Sequence, residues 1–529
     1  MRASSCVTPH RRGQGRQFLL ASMCLALTLV FLCATAEGLE EPRLVYPRLL
    51  EERSSEGKLV LRIHDDLILN LERASVAAPQ LRVLTEEDGA SVTQMYDGHE
   101  INRNLYQDRH QLATVELKMR ERNAEVTGIV GPHHRIEPVP TMERSESGLI
   151  AHMVYEIKHA EVYDKALSFV EKDSRFTARN ADAIGSVPEQ VNIEVFVVAD
   201  TVHYSRFKGP REALVYVCIM LNAANLRLTD MTKPMVSLLL TGMEKLLSED
   251  FLIGTSEYLH DSSTIKNFRE YGRKMKSAFK DPDILFLLSG RDVVTDGKDG
   301  TWDKRGAGIG YVGGVCTSFF VALGEDAPGL FTGVRTVTHE IAHLLGSMHD
   351  EDGPSSTVPR HPGAKACPWN DGYIMSYVDN GPNRHRFSKC SIEQMRFVLT
   401  VRGKTCWDVV SPSQNLTRKY PGHRNITRRI CMKVFPNKEN VRAEVINRNG
   451  NECKLKCYYS VVVGRFLKTY STWKDAPDYV SCGKKMVCVR GYCVDAPNFP
   501  RKAPGGGRNV TLGTAKVREN QVTQRQTPV

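Results

Sequence analysis

Residues 339–350 read His-Glu-Ile-Ala-His-Leu-Leu-Gly-Ser-Met-His-Asp, which is the pattern H-E-x-x-H-x-x-G-x-x-H followed by an aspartate. On a helix, His339 and His343 lie one turn apart and project from the same face, so both imidazoles can reach one metal ion. Gly346 can adopt the left-handed conformation that ends a helix, and the chain can then turn to bring His349 to the same ion. Three nitrogen ligands leave a fourth position for water, which is typical of a catalytic zinc site.

The helix that carries the histidines also predicts how the site is supported. At about 100° per residue, apolar side chains fall on one stripe and the two histidines lie nearly opposite them. The stripe consists of Val334, Val337, Ile341, Leu344 and Leu345. We expect it to pack on the core while the histidines face a cleft, where Glu340 lies beside the ligands but is offset from them. A carboxylate in that place can accept the proton of the attacking water.

A single histidine on a helix is more often a surface or core residue than a metal ligand, and H-E-x-x-H alone occurs by accident. All six fixed positions of the longer string recur by chance on the order of a few times per million chains of this length and composition. We therefore predict a zinc site at His339, His343 and His349.

The beginning of the chain predicts secretion. Residues 1–36 carry four arginines, an apolar run from Phe18 to Cys33 and the triplet Ala34-Thr35-Ala36, which together are typical of a secretory signal peptide and its cleavage site. A membrane-spanning helix is the competing interpretation. The apolar run is short for a bilayer, however, and no second run of about 20 apolar residues follows.

The cysteines support the same compartment. Removal of the signal peptide takes away three of the 14 cysteines and leaves 11, all at or beyond residue 218. In an oxidising compartment spaced cysteines predict disulfides, and an odd number leaves one thiol free. We expect Cys218 to be that thiol because it lies in an apolar stretch, residues 213–221, where a thiol packs like a small hydrophobic group. Glycan sites are predicted at the sequons of Asn415, Asn425 and Asn509.

Cysteine, charge and apolar runs divide the chain into regions. Residues 37–186, the N-terminal region, contain no cysteine and many charges, and their strand-like runs predict a separate domain. Next, apolar runs alternate with helical stretches, which predicts an α/β layer with a mostly parallel sheet. The apolar runs are 191–199, 235–240 and 284–289, and the helical stretches are 210–227 and about 263–279. From residue 500 the chain is rich in Gly, Pro, Lys and Gln, which predicts a disordered tail.

Composition and charge limit the classes of function. With 41% hydrophobic and 25% charged residues, the chain does not have the composition of a collagen-like, coiled-coil, wholly disordered or polytopic membrane protein. Its net charge of +10 is concentrated in residues 415–510, which hold 20 basic and 6 acidic side chains. The excess predicts docking on sulfated glycans or acidic matrix, or else a solvated basic face. Nucleic acid as a partner conflicts with the signal peptide.

The extended histidine signature resembles that of the metzincin metalloproteases, whose second hallmark is a methionine-containing turn after the helix. Here the stretch Gly372-Tyr-Ile-Met-Ser-Tyr377 resembles that turn, with Met375 as a hydrophobic floor under the zinc site. Asp350, after the third histidine, resembles the reprolysin branch, which includes snake-venom and ADAM enzymes. The stretch C-P-W-N-D-G-Y-I-M-S-Y at residues 367–377 is most similar to that of the secreted salivary reprolysins of ticks.

This resemblance implies a metzincin catalytic domain with a twisted, mostly parallel sheet, the zinc helix and the Met turn. The implied organisation is a signal peptide (1–36), a propeptide domain (37–186), the catalytic domain (187–410), a basic cysteine-rich domain (411–499) and the tail (500–529). It also implies the disulfides Cys316–Cys406 and Cys367–Cys390. The six remaining cysteines would form three bridges in any of 15 connectivities. In related reprolysins a calcium ion joins the first strand to the end of the domain, and Glu194 and Asp283 fall where its acidic ligands would lie.

Tyr377 departs from the venom and ADAM pattern, which commonly has proline two residues after the methionine. Astacins and serralysins have a tyrosine at that offset, and its hydroxyl can approach the zinc or the oxyanion. We therefore hypothesise that Tyr377 donates a hydrogen bond to the tetrahedral intermediate. The alternative is a plain role in the pocket wall.

Two further features concern substrate access and latency. Residues 308–314, Gly-Ile-Gly-Tyr-Val-Gly-Gly, resemble the edge strand that pairs with an extended substrate in similar proteases, although a purely structural strand is the alternative.

Many family members cap the zinc with a propeptide cysteine, but the N-terminal region has none. Inhibition must then use another ligand, use steric cover or be absent. Maturation is predicted between about residues 175 and 190, where Arg175 and Arg179 are the nearest basic candidates.

The predicted function is that of a secreted zinc endopeptidase that hydrolyses extracellular proteins. The tick resemblance would make host fibrinogen, fibrin or matrix proteins its substrates, with an anti-haemostatic role in saliva. The alternative is an adhesion protein that acts through its basic cysteine-rich domain and uses the protease fold as a scaffold. The absence of an R-G-D triplet removes the usual support for a simple integrin-binding function.

Overall fold

The structure is a computed structural model. It describes residues 41–51, 59–87, 90–120, 123–159, 163–170, 187–246, 248–297, 299–378, 381–407, 426–448, 452–463, 466–477, 480–489 and 491–495. The predicted signal peptide, the sequon residues Asn415, Asn425 and Asn509, the tail, and Arg175 and Arg179 lie outside the described residues.

The described part of the N-terminal region consists mostly of strands. These are β1 (Arg43–Val45), β2 (Arg48–Glu51), β3 (Leu59–His64), β4 (Leu67–Arg73), β5 (Ala77–Glu87), β6 (Ala90–Asp97), β7 (Leu105–Asp108), β8 (Ala113–Arg120), β9 (Asn123–Gly131), β10 (His134–Pro138), β11 (His152–Glu156) and β12 (Tyr163–Leu167). One short helix, α1 (Gly98–Asn104), connects β6 to β7. Nine of these strands form an antiparallel sheet in the order β1-β11-β10-β9-β8-β7-β4-β3-β2.

Alternation of apolar side chains explains that sheet. In β3 and β4 every second residue points to the core, so that Leu61, Ile63, Leu69 and Leu71 are fully buried while their neighbours are not. A period of two is what a strand with one buried face requires. These side chains form their own hydrophobic cluster with Val115, Val126 and others.

The middle of the chain alternates strands and helices as its sequence predicts. The strands are β13 (Gln190–Ala199), β14 (Met235–Lys245), β15 (Tyr258–His260), β16 (Ile284–Ser289), β17 (Asp292–Asp296), β18 (Trp302–Asp303), β19 (Gly306–Tyr311) and β20 (Val321–Glu325). The helices are α2 (Thr201–Tyr204), α3 (Pro210–Leu228), α4 (Asp261–Met275), α5 (Val334–Leu345), α6 (Lys389–Arg402) and α7 (Lys404–Trp407). The predicted runs 191–199 and 284–289 lie in β13 and β16, and Pro210 occupies the first turn of α3 as expected.

An eight-stranded sheet, the central sheet, has the order β12-β19-β20-β16-β13-β14-β5-β6. Neighbouring strands are parallel except at the pairs β19–β20 and β5–β6, so the sheet is mostly parallel. Its inner strands β13 and β16 are buried along nearly their whole length, which accounts for their continuous apolar sequences.

The central sheet crosses the predicted boundary at residue 186. Three strands of the N-terminal region belong to it: β12 forms one edge, and β5 with β6 forms the other. The sequence predicted a separate domain here, whereas in the structure the two regions share one hydrophobic core that joins Leu81 and Val83 to Val195 and Leu240. The residue boundaries themselves stay predictions.

The cysteine-rich region forms a separate sheet. Its elements are α8 (Ile426–Val434), β21 (Arg442–Arg448), β22 (Glu452–Val463), β23 (Phe466–Asp475), β24 (Ser481–Gly483), β25 (Met486–Val489) and β26 (Tyr492–Asp495). The order is β21-β22-β26-β25-β24, and β23 also pairs with β22. The disulfides Cys431–Cys457, Cys453–Cys488 and Cys482–Cys493 select one of the 15 connectivities. A core this small gains much of its stability from such cross-links.

No helix within the described ranges is both long enough and apolar enough to cross a bilayer.

Candidate metal centre

Helix α5 lies between the central sheet and α6, and all twelve of its residues are buried. The predicted apolar stripe packs into the core, with Val334, Val337, Ile341, Leu344 and Leu345 at most 2% exposed. Gly346 ends the helix in the left-handed conformation, with φ of 114°, as predicted. A Cβ at this position would also lie 2.3 Å from Cγ2 of Val398 on α6, so conformation and space both require glycine.

The turn at Gly346 brings three imidazoles together. Nε2 of His339 lies 3.2 Å from Nε2 of His349, and ring centroids of His343 lie 4.8 Å from His339 and 4.7 Å from His349. The rings of His339 and His343 are fully shielded from solvent, and His349 is 8% exposed. The structure therefore brings together the three residues that the sequence assigned to zinc.

The outward ring atoms show which way the lone pairs point. Nδ1 of His339 donates to the carbonyl of Ile374 over 2.8 Å, and Nδ1 of His343 donates to the carbonyl of Ser347 over 2.6 Å. Nδ1 of His349 lies 3.5 Å from a carboxylate oxygen of Asp352. In a neutral imidazole whose Nδ1 carries the proton, Nε2 presents a lone pair. All three lone pairs point to one space.

A fourth inward group belongs to Asp164, in β12 of the N-terminal region. Its Oδ1 lies 3.1 Å from Nε2 of His339 and 2.8 Å from Nε2 of His349, and its Oδ2 lies 2.8 Å from Nε2 of His343. All four ligand atoms lie within 4.8 Å of one another. Asp164 could not be predicted from the sequence, because no motif marks it and it lies 175 positions before His339.

The donor set fits zinc. Nitrogen and oxygen donors at about 2.0–2.1 Å from a tetrahedral zinc ion lie roughly 3.3 Å apart, close to the separations seen here. Three lone pairs and a carboxylate are all acceptors, so they repel one another unless a cation lies between them. Protonation of the histidines does not take the place of that cation equally at each ring. Burial lowers the pKa of His349, but the carboxylates of Asp164 and Asp352 together outweigh it and raise that pKa to about 10. Burial lowers the pKa of His339 to about 4.

Glu340 lies beside this cluster with both carboxylate oxygens buried, and neither has a hydrogen-bond partner among the described residues. Burial raises its pKa well above the ordinary value, and the charges of Asp164 and Asp261 act in the same direction. Its neighbour on the sheet side is β19. A Cβ on Gly308 would lie 2.6 Å from Oε1 of Glu340, so this glycine leaves the space that the carboxyl group occupies.

The Met turn is tied to two of the metal-binding histidines. Met375 is fully buried, and its carbonyl accepts from the backbone N–H of Asp350, which directly follows His349. The preceding carbonyl, of Ile374, is the one that orients His339. Asp350 accepts a 2.6 Å hydrogen bond from the hydroxyl of Ser388, and burial raises the pKa of its carboxyl group to about 6. The turn thus holds ligands from outside the metal-facing space.

Tyr377 reaches the same space from the end of the Met turn. Its hydroxyl donates to Oδ1 of Asp164 over 2.9 Å and contacts the backbone carbonyl of Asp164 over 3.1 Å. Burial raises the pKa of the phenol, and the charge of Asp164 raises it further, so the hydroxyl keeps its proton. Rings of Trp369 and Tyr163 pack on Tyr377 with centroids 4.9 and 5.0 Å away.

The structure also places the predicted cysteines and acidic residues. Disulfides join Cys316 to Cys406 and Cys367 to Cys390, and Cys218 is a free, buried thiol. Oδ2 of Asp283 accepts from the backbone N–H of Glu194 over 2.9 Å, beside the Cys316–Cys406 disulfide. Burial raises the pKa of Asp283 to about 8, and the nearby Glu194 carboxylate adds to the rise. A buried acidic pair favours a cation, and calcium at this place stays a prediction.

Comparisons with known proteins agree with this geometry. A model of the reprolysin-like metallopeptidase family M12B matches residues 298–401. The venom metalloproteinase antarease TserMP_A of Tityus serrulatus is 27% identical over 395 residues, 72% of this chain and 97% of that protein. The antarease-like protein TtrivMP_A of Tityus trivittatus is 26% identical over 71% of this chain and 95% of its own length.

The venom metalloproteinase BumaMPs1 of Olivierus martensii is 25% identical over 71% of this chain and 94% of its own length. The special closeness to tick enzymes stays a prediction, since these relatives come from scorpions. The zinc signature, the converging imidazoles and the match over residues 298–401 carry one conclusion: the chain is a zinc metalloendopeptidase that over this stretch is similar to the reprolysin-like family M12B.

Proposed function

We propose that the mature protein is a secreted endopeptidase that cuts extended segments of extracellular proteins, with zinc held by His339, His343 and His349. The observation that carries the proposal is the convergence of three Nε2 lone pairs, each fixed by a partner of the ring's other nitrogen. Fixed rings cost no reorganisation when the ion binds. When bound, zinc lowers the pKa of a coordinated water toward 7 and polarises the scissile carbonyl.

Glu340 is the general base in this proposal. It takes a proton from the attacking water and passes it to the nitrogen of the leaving amine, so peptide-bond hydrolysis needs no covalent intermediate. The support is its burial beside the ligands without a competing hydrogen bond, since a partnered carboxylate would be a weaker base. Gly308 keeps the space open on the sheet side.

Tyr377 is proposed to stabilise the oxyanion of the tetrahedral intermediate. Its protonated hydroxyl contacts a carboxylate oxygen of Asp164. That oxygen contacts Nε2 of both His339 and His349, so it marks where an oxyanion would be held. We expect Tyr377→Phe to lower kcat roughly 10²-fold with little change in KM. An unchanged kcat would leave Tyr377 as part of the pocket wall.

The substrate is proposed to pair with β19, whose glycines present backbone rather than side chains. Backbone pairing selects for extended conformation more than for sequence, so broad specificity is expected. The predicted signal peptide and the disulfides support an extracellular setting. The resemblance to tick enzymes extends the proposal to host fibrinogen, fibrin or matrix proteins as substrates in saliva.

The experiment compares Glu340→Gln with the matched control Glu270→Gln, which changes an exposed carboxylate on α4. Removing a general base should lower kcat on a denatured protein substrate by about 10²–10⁴-fold, whereas the control should match the wild type. Zinc content is measured on the same preparations and should be one per chain. Activity that survives in Glu340→Gln, or persists in phenanthroline, would remove the proposal.

A second candidate function is docking on sulfated glycans through the cysteine-rich region. On the hairpin β22–β23, Trp473 and Tyr470 are each 39% exposed, with Lys456 and Lys468 lying over their rings. Lysines beside exposed aromatic rings suit a sulfated sugar. We expect the full chain to elute from heparin at high salt and Lys456→Ala/Lys468→Ala to elute earlier. Elution of the wild type at very low salt would contradict docking.

A further inference from the structure

We propose that residues 163–169, the plug segment, keep the enzyme latent by placing the carboxylate of Asp164 in the fourth coordination position of zinc. The inference rests on the proposed zinc function. It answers the latency question that the sequence left open, because the N-terminal region contains no cysteine and Asp164 supplies a different ligand.

The first support is the way the Asp164 carboxylate is held. The side chain is completely shielded from solvent, and its two oxygens are divided among all three histidines. The hydroxyl of Tyr377 donates to Oδ1 as well. Such a buried carboxylate is stable only with strong compensation. A zinc ion held by three neutral imidazoles supplies that compensation, and the carboxylate in return occupies the place that water needs.

The second support is the backbone on either side of Asp164. Strand β12 runs parallel to β19, with Asp164 opposite Gly308 and Leu167 opposite Tyr311. The pairing continues one residue further, where the N–H of Val312 donates to the carbonyl of Leu167 over 2.9 Å. The predicted substrate edge is therefore covered, and an extended substrate cannot pair with β19 until β12 leaves.

The plug segment also avoids being cut at the site that it fills. The group next to the metal-binding nitrogens is a side-chain carboxylate. A substrate must instead place a peptide carbonyl there, with Glu340 able to reach the attacking water. The segment thus occupies the cleft without offering a scissile bond to the zinc.

The third support is an anchor at the far end of the segment. Phe169 is buried and stacks on Phe319, with ring centroids 4.1 Å apart, and meets the ring of Tyr311 edge-on at 5.9 Å. Its backbone N–H donates to the hydroxyl of Thr357 over 2.9 Å. Between Asp164 and Phe169 the residues of β12 are only half-buried. The segment is therefore held at its two ends, by a carboxylate and by an aromatic ring.

Covalent attachment makes this inhibition effective. A ligand on the same chain competes at a high effective concentration, which can strengthen its occupancy by about 10²–10⁴-fold without any new contact. Cutting the chain so that the segment can leave would remove this advantage. The segment then acts as a latency device that proteolysis can release.

The test uses the full chain and three variants: Asp164→Ala, Asp164→Asn, and the matched control Asp66→Asn, an exposed carboxylate of the same region. A fluorescent peptide hydroxamate serves as an active-site probe, and its equilibrium binding is measured alongside zinc content. We expect Asp164→Ala to bind the probe about 10²-fold more tightly than the wild type, and Asp164→Asn to lie between them. The control should equal the wild type.

A second readout is the rate at which zinc passes to a coloured chelator. Residues that only hydrogen-bond to a metal ligand contribute about 10- to 100-fold to metal affinity. Loss of a ligand itself should therefore speed zinc release at least about tenfold. Phe169→Ala should increase probe binding without speeding release, since it loosens the strand but leaves the carboxylate. This variant keeps the test decisive if Asp164→Ala does not fold.

The outcomes separate the two proposals. One zinc per chain, with equal probe binding by wild type and Asp164→Asn and no effect of Phe169→Ala, would overturn the plug while the protease function stands. A wild-type chain without stoichiometric zinc would overturn the proposed function itself. Faster zinc release and tighter probe binding in Asp164→Ala, against an unchanged Asp66→Asn, would establish the aspartate as the latent ligand.

Discussion

The two edges of the central sheet are both built by the N-terminal region, but they differ in kind. At one edge β5 pairs with β14 and carries the fully buried side chains Leu81 and Val83. At the other edge β12 pairs with β19 and is half-buried along its length. The first edge is part of the hydrophobic core, and the second lies over the catalytic cleft.

This difference shows how one region can serve folding and inhibition at once. A strand that buries large apolar side chains cannot leave without exposing them to water, whereas a half-buried strand held by a carboxylate and one aromatic ring can. A cut between residues 175 and 190 would leave β5 and β12 on one fragment, joined to β14 and β19 only by noncovalent contacts. We expect β5 to keep this fragment associated after such a cut, while β12, now free at its C-terminal end, detaches from β19.

The largest expected effect is on stability, where a substitution in β5 should lower the free energy of unfolding more than one in β12. Leu81→Ala in β5 removes a side chain with no solvent exposure and should lower the free energy of unfolding by about 2–5 kcal/mol. Leu167→Ala in the half-buried β12 should lower it by less than about 1.5 kcal/mol. Urea unfolding of both variants, made with Glu340→Gln to prevent self-cleavage, measures the difference. Equal losses would mean that the two edges are equally part of the core.

One pH-dependent contribution to stability is expected at the β5 edge. Glu244 lies in β14 opposite Leu84 of β5, and burial raises the pKa of its carboxyl group to about 7 despite a hydrogen bond from Tyr271. Since this folded-state pKa lies above the unfolded value of about 4.5, the stabilisation is complete below pH 4.5 and is lost as pH rises through 7.

The glutamine variant tests this sign. Glu244→Gln should remove that part of the pH dependence. The free energy of unfolding of the wild type minus that of the variant should therefore fall by no more than about 3 kcal/mol between pH 4.5 and 8. Unfolding measured at several pH values gives the difference. Parallel pH profiles for the two proteins would show that Glu244 is not the responsible group.

The sequence predicted those parts of the site that depend on short spacing. The two histidines one turn apart, the glycine that ends the helix and the apolar stripe follow from the period of a helix, so α5 and its ligands could be predicted from twelve residues. The strands β13 and β16 were similarly visible as continuous apolar runs. Each of these features is local, and its physical cause lies within one element.

Contacts between elements that are far apart in the sequence could not be predicted. Nothing in the sequence distinguishes Asp164 from the other acidic residues of the N-terminal region, because its role depends on the pairing of β12 with β19. Likewise, nothing in the residues of β5 shows that its neighbour is β14. The cysteine pairs of the C-terminal sheet were open for the same reason, since they depend on which strands lie side by side.

A smaller effect is expected where the β5 edge begins. The side chain of Asn102 in α1 is buried, accepts from the N–H groups of Val76 and Ala77, and donates to the carbonyl of Ala77. Asn102→Ala leaves these backbone groups without partners and should lower the free energy of unfolding by about 1–3 kcal/mol. Glu100→Ala, an exposed change on the same helix, is the control and should stay within about 0.5 kcal/mol.

The smallest expected effect concerns the exposed side of β12. Nζ of Lys165 lies 3.6 Å from a carboxylate oxygen of Asp261 and 3.3 Å from the hydroxyl of Ser262. The lysine is 38% exposed, so solvent screens the pair and its contribution should not exceed about 1 kcal/mol. Lys165→Ala should therefore raise hydroxamate binding by the full chain less than about fivefold, and added salt should shrink the difference further. A larger, salt-independent gain would mean that β12 is held along its middle and not mainly by Asp164 and Phe169, which would make the two edges more alike than their burial indicates.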